Sequence, residues 1–523
     1  MEQNIQLSEN KEEKVAQKEK KDGAIKSFFY KFFHIGERGS TIKQEVLSGL
    51  LMGFVAVCFF LVNVNMIVTK FPSEANYCGI YVACALICFL GSFLIGIIAN
   101  LPLMHASGLA TSSMLIHYVS IHGGLTYANM LFLSFIGAIF YVVLIATPLK
   151  KFVLKAIPSS IKKCLPILVG LSIIIIALQQ SGLISFSDSD HLAFVSVVTI
   201  KNVTSSAAIA FLPGFIASLI AIIIYIILKA KNSKHAGFTS FIFGTILFFL
   251  IAIMSKASTY VFALNRLWFV GSEDAYDFMR GLGESSLLLL FTKGLDFSAF
   301  KAAGGNVFLT FVETILLFSI MALAEDQALI RYKDVQDEKG EKKALIISSA
   351  VGVLAPIVGI PMSNVSRASA LGEEDEAKTG LSSIVASLIV LVSMFTWVLF
   401  IIFATWTDFA VEWYYGHYGQ CMNYYATAKF ALAFAVMFIC GVFMIVKAFK
   451  QFNEEDKNCI VPIVVTIVSG LISSNIVIGL SFGVIAYFLI KLFTTKLKDF
   501  KEIPIPEYVG LAIAIVYCVL IQF

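Results

Sequence analysis

Residues 359–385 read GIPMSNVSRASALGEEDEAKTGLSSIV, and the interpretation of the whole chain turns on them. One apolar run leads into this stretch and another leaves it. Its first part is no ordinary membrane helix, because Pro361, Ser363, Asn364, Ser366, Arg367 and Ser369 crowd into nine positions. At membrane depth the backbone leaves the helical pattern only where it is buried in protein or lines a cavity. A polar segment opened by proline between apolar runs therefore reads as a discontinuous element at a binding site, of the kind found in transporters built from inverted repeats. The plainer alternative is an exposed loop, for which the flanking runs leave little room.

Composition points the same way. Of 523 residues, 58% are hydrophobic and 14% charged, and the mean hydropathy is +0.85. Soluble domains do not have this balance. Apolar runs of about 20 residues recur along the chain, the length needed to span a bilayer as a helix. The expected fold is therefore an all-α polytopic membrane protein, multi-pass in the cell membrane. A net charge of +4 gives no argument for nucleic acid. The nine cysteines form no Cys-x-x-Cys pair, so neither a metal nor a disulfide framework is expected. No metal, phosphate-loop or nucleophile pattern appears, so an enzyme is not expected and no cofactor is implied. Residues 1–45 read as a cytoplasmic tail, disordered to about Lys31 and without a signal region.

Candidate spans run 46–69, 79–101, 104–121, 127–147, 163–183, 208–229, 238–255, 306–328, 343–359, 362–373, 379–405, 424–447, 459–474 and 476–493. With the N-terminus in the cytoplasm, fourteen spans put nearly every lysine cluster on that side, including Lys150, Lys151 and Lys155, Lys229 and Lys231, and Lys491, Lys496 and Lys498. Spans three and ten are short and polar. Two seven-span halves would put them in equivalent places, and such paired interruptions point to a midplane site. Span three carries Gly108, Leu109, Ala110, Thr111, Ser112 and Ser113, small and hydroxyl-rich where a lipid-facing helix would be leucine-rich.

Several stretches resemble a known family. FFHIGERGSTIKQEVLSGL (32–50), Val62-Asn63, AIPSSIKKCLPILVGLSIIIIALQQSGLI (156–184), Gly294-Leu295-Asp296-Phe297-Ser298, VPIVVTIVSGLISSNIVIGLSFGVIAYFLIKLF (461–493) and the stretch from Gly359 to Leu381 together resemble AzgA-like purine permeases of the nucleobase:cation symporter-2 family. The likeness covers most of residues 32–493. It implies a 7+7 inverted repeat of fourteen segments, with half-helices at segments 3 and 10. It also implies a core domain (46–147 and 306–405) that moves like an elevator against a gate domain (148–255 and 406–493). An extracellular connection (256–305) and a C-terminal segment (494–523) complete the chain, and homodimers are usual in the wider fold. The departures matter too. Where the family has Gly-Leu-Asn in span three, this chain has Gly108-Leu109-Ala110. Where it has Tyr-Ile-Glu-Ser in span ten, this chain has Ser366-Arg367-Ala368-Ser369. Of two aspartates in span eight, Glu313 matches the first and Leu316 the second.

These residues give the candidate chemistry. A carboxylate at the centre of a spanning helix costs about 2.5–3.5 kcal/mol to insert, so it needs a partner or a task. Glu313 is the most deeply placed carboxylate and reads as the proton-coupling and substrate residue, or else as a structural hydrogen bond. Glu325 and Asp326, beside Arg331 and Lys333, read as a solvated cap of span eight, although Ala324-Glu325 resembles the Ala-Glu of related uracil and xanthine carriers. Arg367 contacts an anion, pairs with Glu313, or is merely structural. Ser363, Asn364, Ser366, Ser369, Thr111 and Ser112 either hydrogen-bond a small polar solute or satisfy broken backbone. Asn63, Gly108, Ala110 and Ala368 complete the expected site. His105 and His117 read as packing residues more than as relays. The leading function is a secondary active transporter of a purine nucleobase or similar planar solute, with a co-transported proton. The rivals are a sulfate- or carboxylate-type anion carrier using Arg367 and half-helix ends, and a non-transporting receptor.

Overall fold

The computed structural model of the chain describes residues 24–71, 74–75, 77–108, 111–112, 115–116, 119, 125–180, 184–186, 192–194, 219–231, 233, 235–254, 288–294, 296, 298, 319–320, 322–330, 337–374, 376–395, 431–452, 459–473, 476–494 and 503–520. The chain opens with α1 (Ala24–Phe32), α2 (Ile42–Lys70) and α3 (Tyr77–Leu94), which closes in a π-helical turn at Ile95–Ala99. Strand β1 (His105–Ser107), α4 (Tyr127–Ala146), α5 (Leu149–Ala156), α6 (Leu165–Gln180) and a small hairpin of β2 (Ile184–Phe186) and β3 (Leu192–Phe194) follow. Then come α7 (Leu219–Ala230), α8 (Ala236–Met254) and the helical residues 322–330, here α9. The chain ends with α10 (Glu338–Val358), β4 (Ser363–Val365), α11 (Ala368–Glu374), α12 (Gly380–Phe395), α13 (Ala431–Phe449), α14 (Ile460–Ile472), α15 (Ile476–Thr494) and α16 (Ile505–Leu520).

Among the described residues four helices are long and apolar enough to cross a membrane: α2, α3 with its π turn, α4 and α15. A fifth joins them if α5 and residues 159–175, bent by 102°, form one broken span. Shorter apolar helices include α7, α14 and much of α12, α13 and α16. The protein is thus a mostly helical, multi-pass membrane protein. The count of fourteen is not reached, because expected spans such as 208–229, 306–328, 379–405 and 424–447 are described only in part.

Local chemistry sets the helix ends. The Thr41 hydroxyl accepts from Gln44 N and starts α2. A reciprocal capping box starts α4, in which Thr126 Oγ1 accepts from Asn129 N (3.2 Å) and Asn129 Oδ1 from Thr126 N (3.0 Å). Asp337 accepts from Gly340 N at 2.9 Å and starts α10. That helix stops at Gly359, whose φ of 98° is easily adopted only by glycine. The π turn after α3 stops in the same left-handed region at Asn100, with φ 50°.

After these two stops the chain is extended, and the two extended pieces pair. β1 and β4 run antiparallel, with His105 opposite Val365, Ala106 opposite Asn364 and Ser107 opposite Ser363. Beyond the strands, Ser366 N donates to Met104 O at 2.7 Å. All six strand residues are buried. Each of spans three and ten therefore begins with a strand, with helix following at the described residues 111–112, 115–116 and 119 and in α11, where the sequence suggested short half-helices. His105 opens β1 and ties the cross to its neighbours. Its Nδ1 is 3.0 Å from Ser348 Oγ of α10 and its Nε2 2.7 Å from Ser363 Oγ. Its ring rests on Gly91 of α3, where a Cβ would come within 2.4 Å of it. His105 is thus a packing and bridging residue.

The N-terminal expectation changes at one end. Residues 24–32 are helical rather than disordered, and Phe33 and Ile35 are buried against Leu381 of α12. Arg38 donates to Asn100 O (2.5 Å) and Lys378 O (2.9 Å), and lies 3.4 Å from Asp337 Oδ2. Glu45 accepts from the backbone N–H groups of Lys378 (3.0 Å) and Thr379 (3.2 Å). The start of the chain is thereby pinned to the links around α3, α10 and α12. Elsewhere α6 and α13 cross at Gly170 and Gly441, where a Cβ on either residue would lie within 2.7 Å of the other's carbonyl oxygen.

Replacing Gly91 by alanine should overpack the cross. We expect a loss of about 1–3 kcal/mol, the usual cost of forcing volume into a filled core. It would be read as a lower melting temperature of the purified protein in detergent. An unchanged melting temperature would show that the His105 ring is free to move aside.

Candidate functional site

The helix α9 runs past the β1–β4 cross and delivers two adjacent carboxylates to it. Glu325 and Asp326 are both buried, 2% and 0% exposed. The solvated cap read from the sequence is therefore wrong: Arg331 and Lys333, which suggested it, follow in sequence, but the carboxylates point into protein. Asp326 Oδ2 accepts from the Tyr141 hydroxyl of α4 at 2.5 Å, and its Oδ1 accepts from the Val365 N–H of β4 at 3.1 Å. Glu325 Oε2 accepts from Asn364 Nδ2 at 2.9 Å. Its Oε1 makes an ion pair with Arg367 Nη2. Both partners are almost fully buried, so the pair is shielded from solvent.

Removing two charges from water costs several kcal/mol each, which their attraction repays only with good geometry and further hydrogen bonds. Here Asn364 supplies one such bond on the second carboxylate oxygen. Arg367 keeps two donor nitrogens unused: among the described residues Nε and Nη1 have no hydrogen-bond partner. The Arg367 carbonyl accepts from the Cys440 thiol of α13 at 3.4 Å, which brings α13 against the start of α11.

Most expected site hydroxyls have structural work. Ser363 holds His105. Ser366 Oγ accepts from Ala368 N at 3.2 Å, and Ser369 Oγ from Met104 N at 2.9 Å. Thr111 donates to Gly108 O at 2.9 Å. Asn63 Nδ2 donates to Ser107 Oγ, leaving its Oδ1 unpartnered among the described residues, as is Ser112 Oγ. A Cβ on Gly108 would lie 3.0 Å from Asn364 Oδ1, so glycine there keeps span three close to the cluster. Ala368 is fully buried at the start of α11. The structure thus brings Asn364 and Arg367 together with Glu325, and sets Ser363, Ser366, Ser369, Thr111 and Gly108 to work on the scaffold around them. Glu313, Ala110 and His117 lie outside the described residues. Arg367 does pair internally, but the partner seen is Glu325.

Several known permeases are similar to this chain in sequence. The guanine/hypoxanthine permease PbuO of Bacillus subtilis (strain 168) is 24% identical over 366 residues, covering 69% of this chain and 77% of that protein. The adenine permease AdeP of Escherichia coli (strain K12) is 23% identical over 478 residues, covering 89% of this chain and 91% of that protein. Relatives of this chain thus include several nucleobase permeases. At this low identity it is a divergent relative of such permeases, and no family model matches it. Among solved structures, the transmembrane domain of the bicarbonate transporter BicA from a cyanobacterium is similar at TM-score 0.46 and 14% identity. That match covers 82% of this chain and 96% of BicA's, a likeness too loose to bear on substrate.

Sequence reasoning on this permease-like chain missed the roles of Glu325, Asp326 and Tyr141. The one available signal was Ala324-Glu325. Removing one member of the buried pair should cost about 3–5 kcal/mol, because it strands a buried charge, whereas removing both costs far less. Glu325→Gln and Arg367→Gln should therefore each lower the melting temperature, and the double variant should recover most of the loss. A double variant as unstable as the two losses summed would mean the pair contributes no coupling.

Proposed function

We propose that this protein is a secondary active transporter that carries a purine nucleobase or a similar small planar solute across the membrane, coupled to protons. The observation that carries this reading is the buried Glu325–Asn364–Arg367 cluster beside the paired strands. Polar groups this deep are retained for a partner or a task. The nucleobase permeases among its relatives supply the substrate class.

The two carboxylates of the cluster are already engaged. Glu325 is neutralised by Arg367, and Asp326 accepts from two donors. Glu313 therefore remains the candidate for proton coupling. The core and gate arrangement is part of the same proposal: the Cys440–Arg367 contact would be the place where a gate helix meets the site. The anion alternative is less favoured, because two carboxylates already stand beside the one guanidinium of the cluster. A receptor that has lost its site fits poorly with a cluster that keeps two carboxylates and an arginine buried.

Uptake into proteoliposomes tests this directly, with labelled hypoxanthine and adenine set against labelled sulfate. We expect saturable purine uptake, stimulated by an inwardly directed proton gradient and reduced at least tenfold in Glu325→Gln. In Glu313→Gln the gradient should lose its effect. Sulfate uptake without purine uptake would overturn the reading, and absence of any flux would favour a receptor.

A further inference from the structure

The hydrogen-bond inventory of the cluster is lopsided. Glu325 spends one oxygen on Arg367 and the other on Asn364, and Asp326 spends its two on Tyr141 and Val365 N. What stays unpartnered on the ion pair, among the described residues, is donor capacity: the Nε–H and Nη1–H groups of Arg367. This side chain is 4% exposed, so water does not readily serve those groups. A buried donor left without an acceptor is destabilising, the more so when it belongs to a charged group. Arginine has no acceptor with which to greet an amino group.

A ligand that completes the cluster must therefore bring acceptors. It should bring them without a full negative charge, because two carboxylates already stand beside one guanidinium. A carbonyl oxygen on a neutral ring meets both conditions. Arginine pairs readily with the oxo group of guanine for the same reason.

Resting on the nucleobase reading above, we infer that Arg367 makes this site selective for 6-oxopurines over 6-aminopurines. Hypoxanthine and guanine offer an oxygen at carbon 6, whereas adenine offers an amino group there. With adenine bound, an N–H of Arg367 would face a donor. A site whose buried polar groups are left unpaired by one analogue rejects it strongly, by up to about 10⁴–10⁵-fold in favourable cases. Arg367 is half engaged by Glu325, so we expect a smaller factor, at least tenfold.

The test is competition against labelled hypoxanthine in proteoliposomes, by unlabelled hypoxanthine, guanine, adenine and unsubstituted purine. Guanine should compete as hypoxanthine does. Adenine and purine should each need at least tenfold higher concentration. Arg367→Lys keeps a positive charge for Glu325 but removes the planar set of donors. In that variant the gap between hypoxanthine and adenine should shrink to less than threefold, with folding checked by its elution profile. Adenine competing as well as hypoxanthine in the unaltered protein overturns the selectivity and leaves the nucleobase reading intact. So does a full gap retained in Arg367→Lys. No binding of any purine overturns the nucleobase reading, and the selectivity falls with it.

Discussion

Backbone groups inside a bilayer have no water to turn to, and this constraint organises the structure. A spanning helix satisfies its own N–H and C=O groups; a broken helix does not. Among the described residues, helices break after the π turn that follows α3 and after Gly359, and each of these breaks answers the other. The antiparallel pairing of His105–Ser107 with Ser363–Val365 joins two segments that are far apart in sequence. Side chains finish the task where the ladder ends. Ser369 takes the N–H of Met104, Asp326 takes the N–H of Val365, and Ser134 takes that of Met362. The small cross is therefore held by its neighbours as much as by its own two strands.

That arrangement explains why charge collects there. Asp326 is needed as an acceptor for a strand N–H, and Glu325 is its neighbour in sequence. Arg367 follows β4 and so comes within reach of Glu325. One structural requirement thus places two carboxylates and a guanidinium at a single buried point. The same point joins α4 through Tyr141 and α13 through Cys440, so four separate parts of the chain meet at it.

Much of this was legible in the sequence, and the limits have physical causes. Long apolar runs announce spans because lipid sets their length. The crowding of Pro361, Ser363, Asn364, Ser366 and Arg367 announced a break, because no lipid-facing helix tolerates it. The strands were not legible. Three residues are too few to show an alternating pattern, and His105 and Ser363, which meet through a hydrogen bond, are 258 positions apart. Glu325 was misread because nearby Arg331 and Lys333 give its surroundings the look of a solvated helix end. Its real partner lies 42 residues away. The hydroxyls of spans three and ten illustrate a different limit. Serine and threonine that mend broken backbone look, in sequence, like serine and threonine that greet a ligand.

The β1–β4 cross has an evolutionary consequence. Its pairing depends on main-chain atoms, which every residue except proline supplies in full. The side chains carried on it can therefore change while the cross itself persists. A scaffold of this kind acts as a socket with an interchangeable lining. A side chain at this buried point can be exchanged without redesigning the fold so long as the acceptors Ser369, Asp326 and Ser134 stay in place.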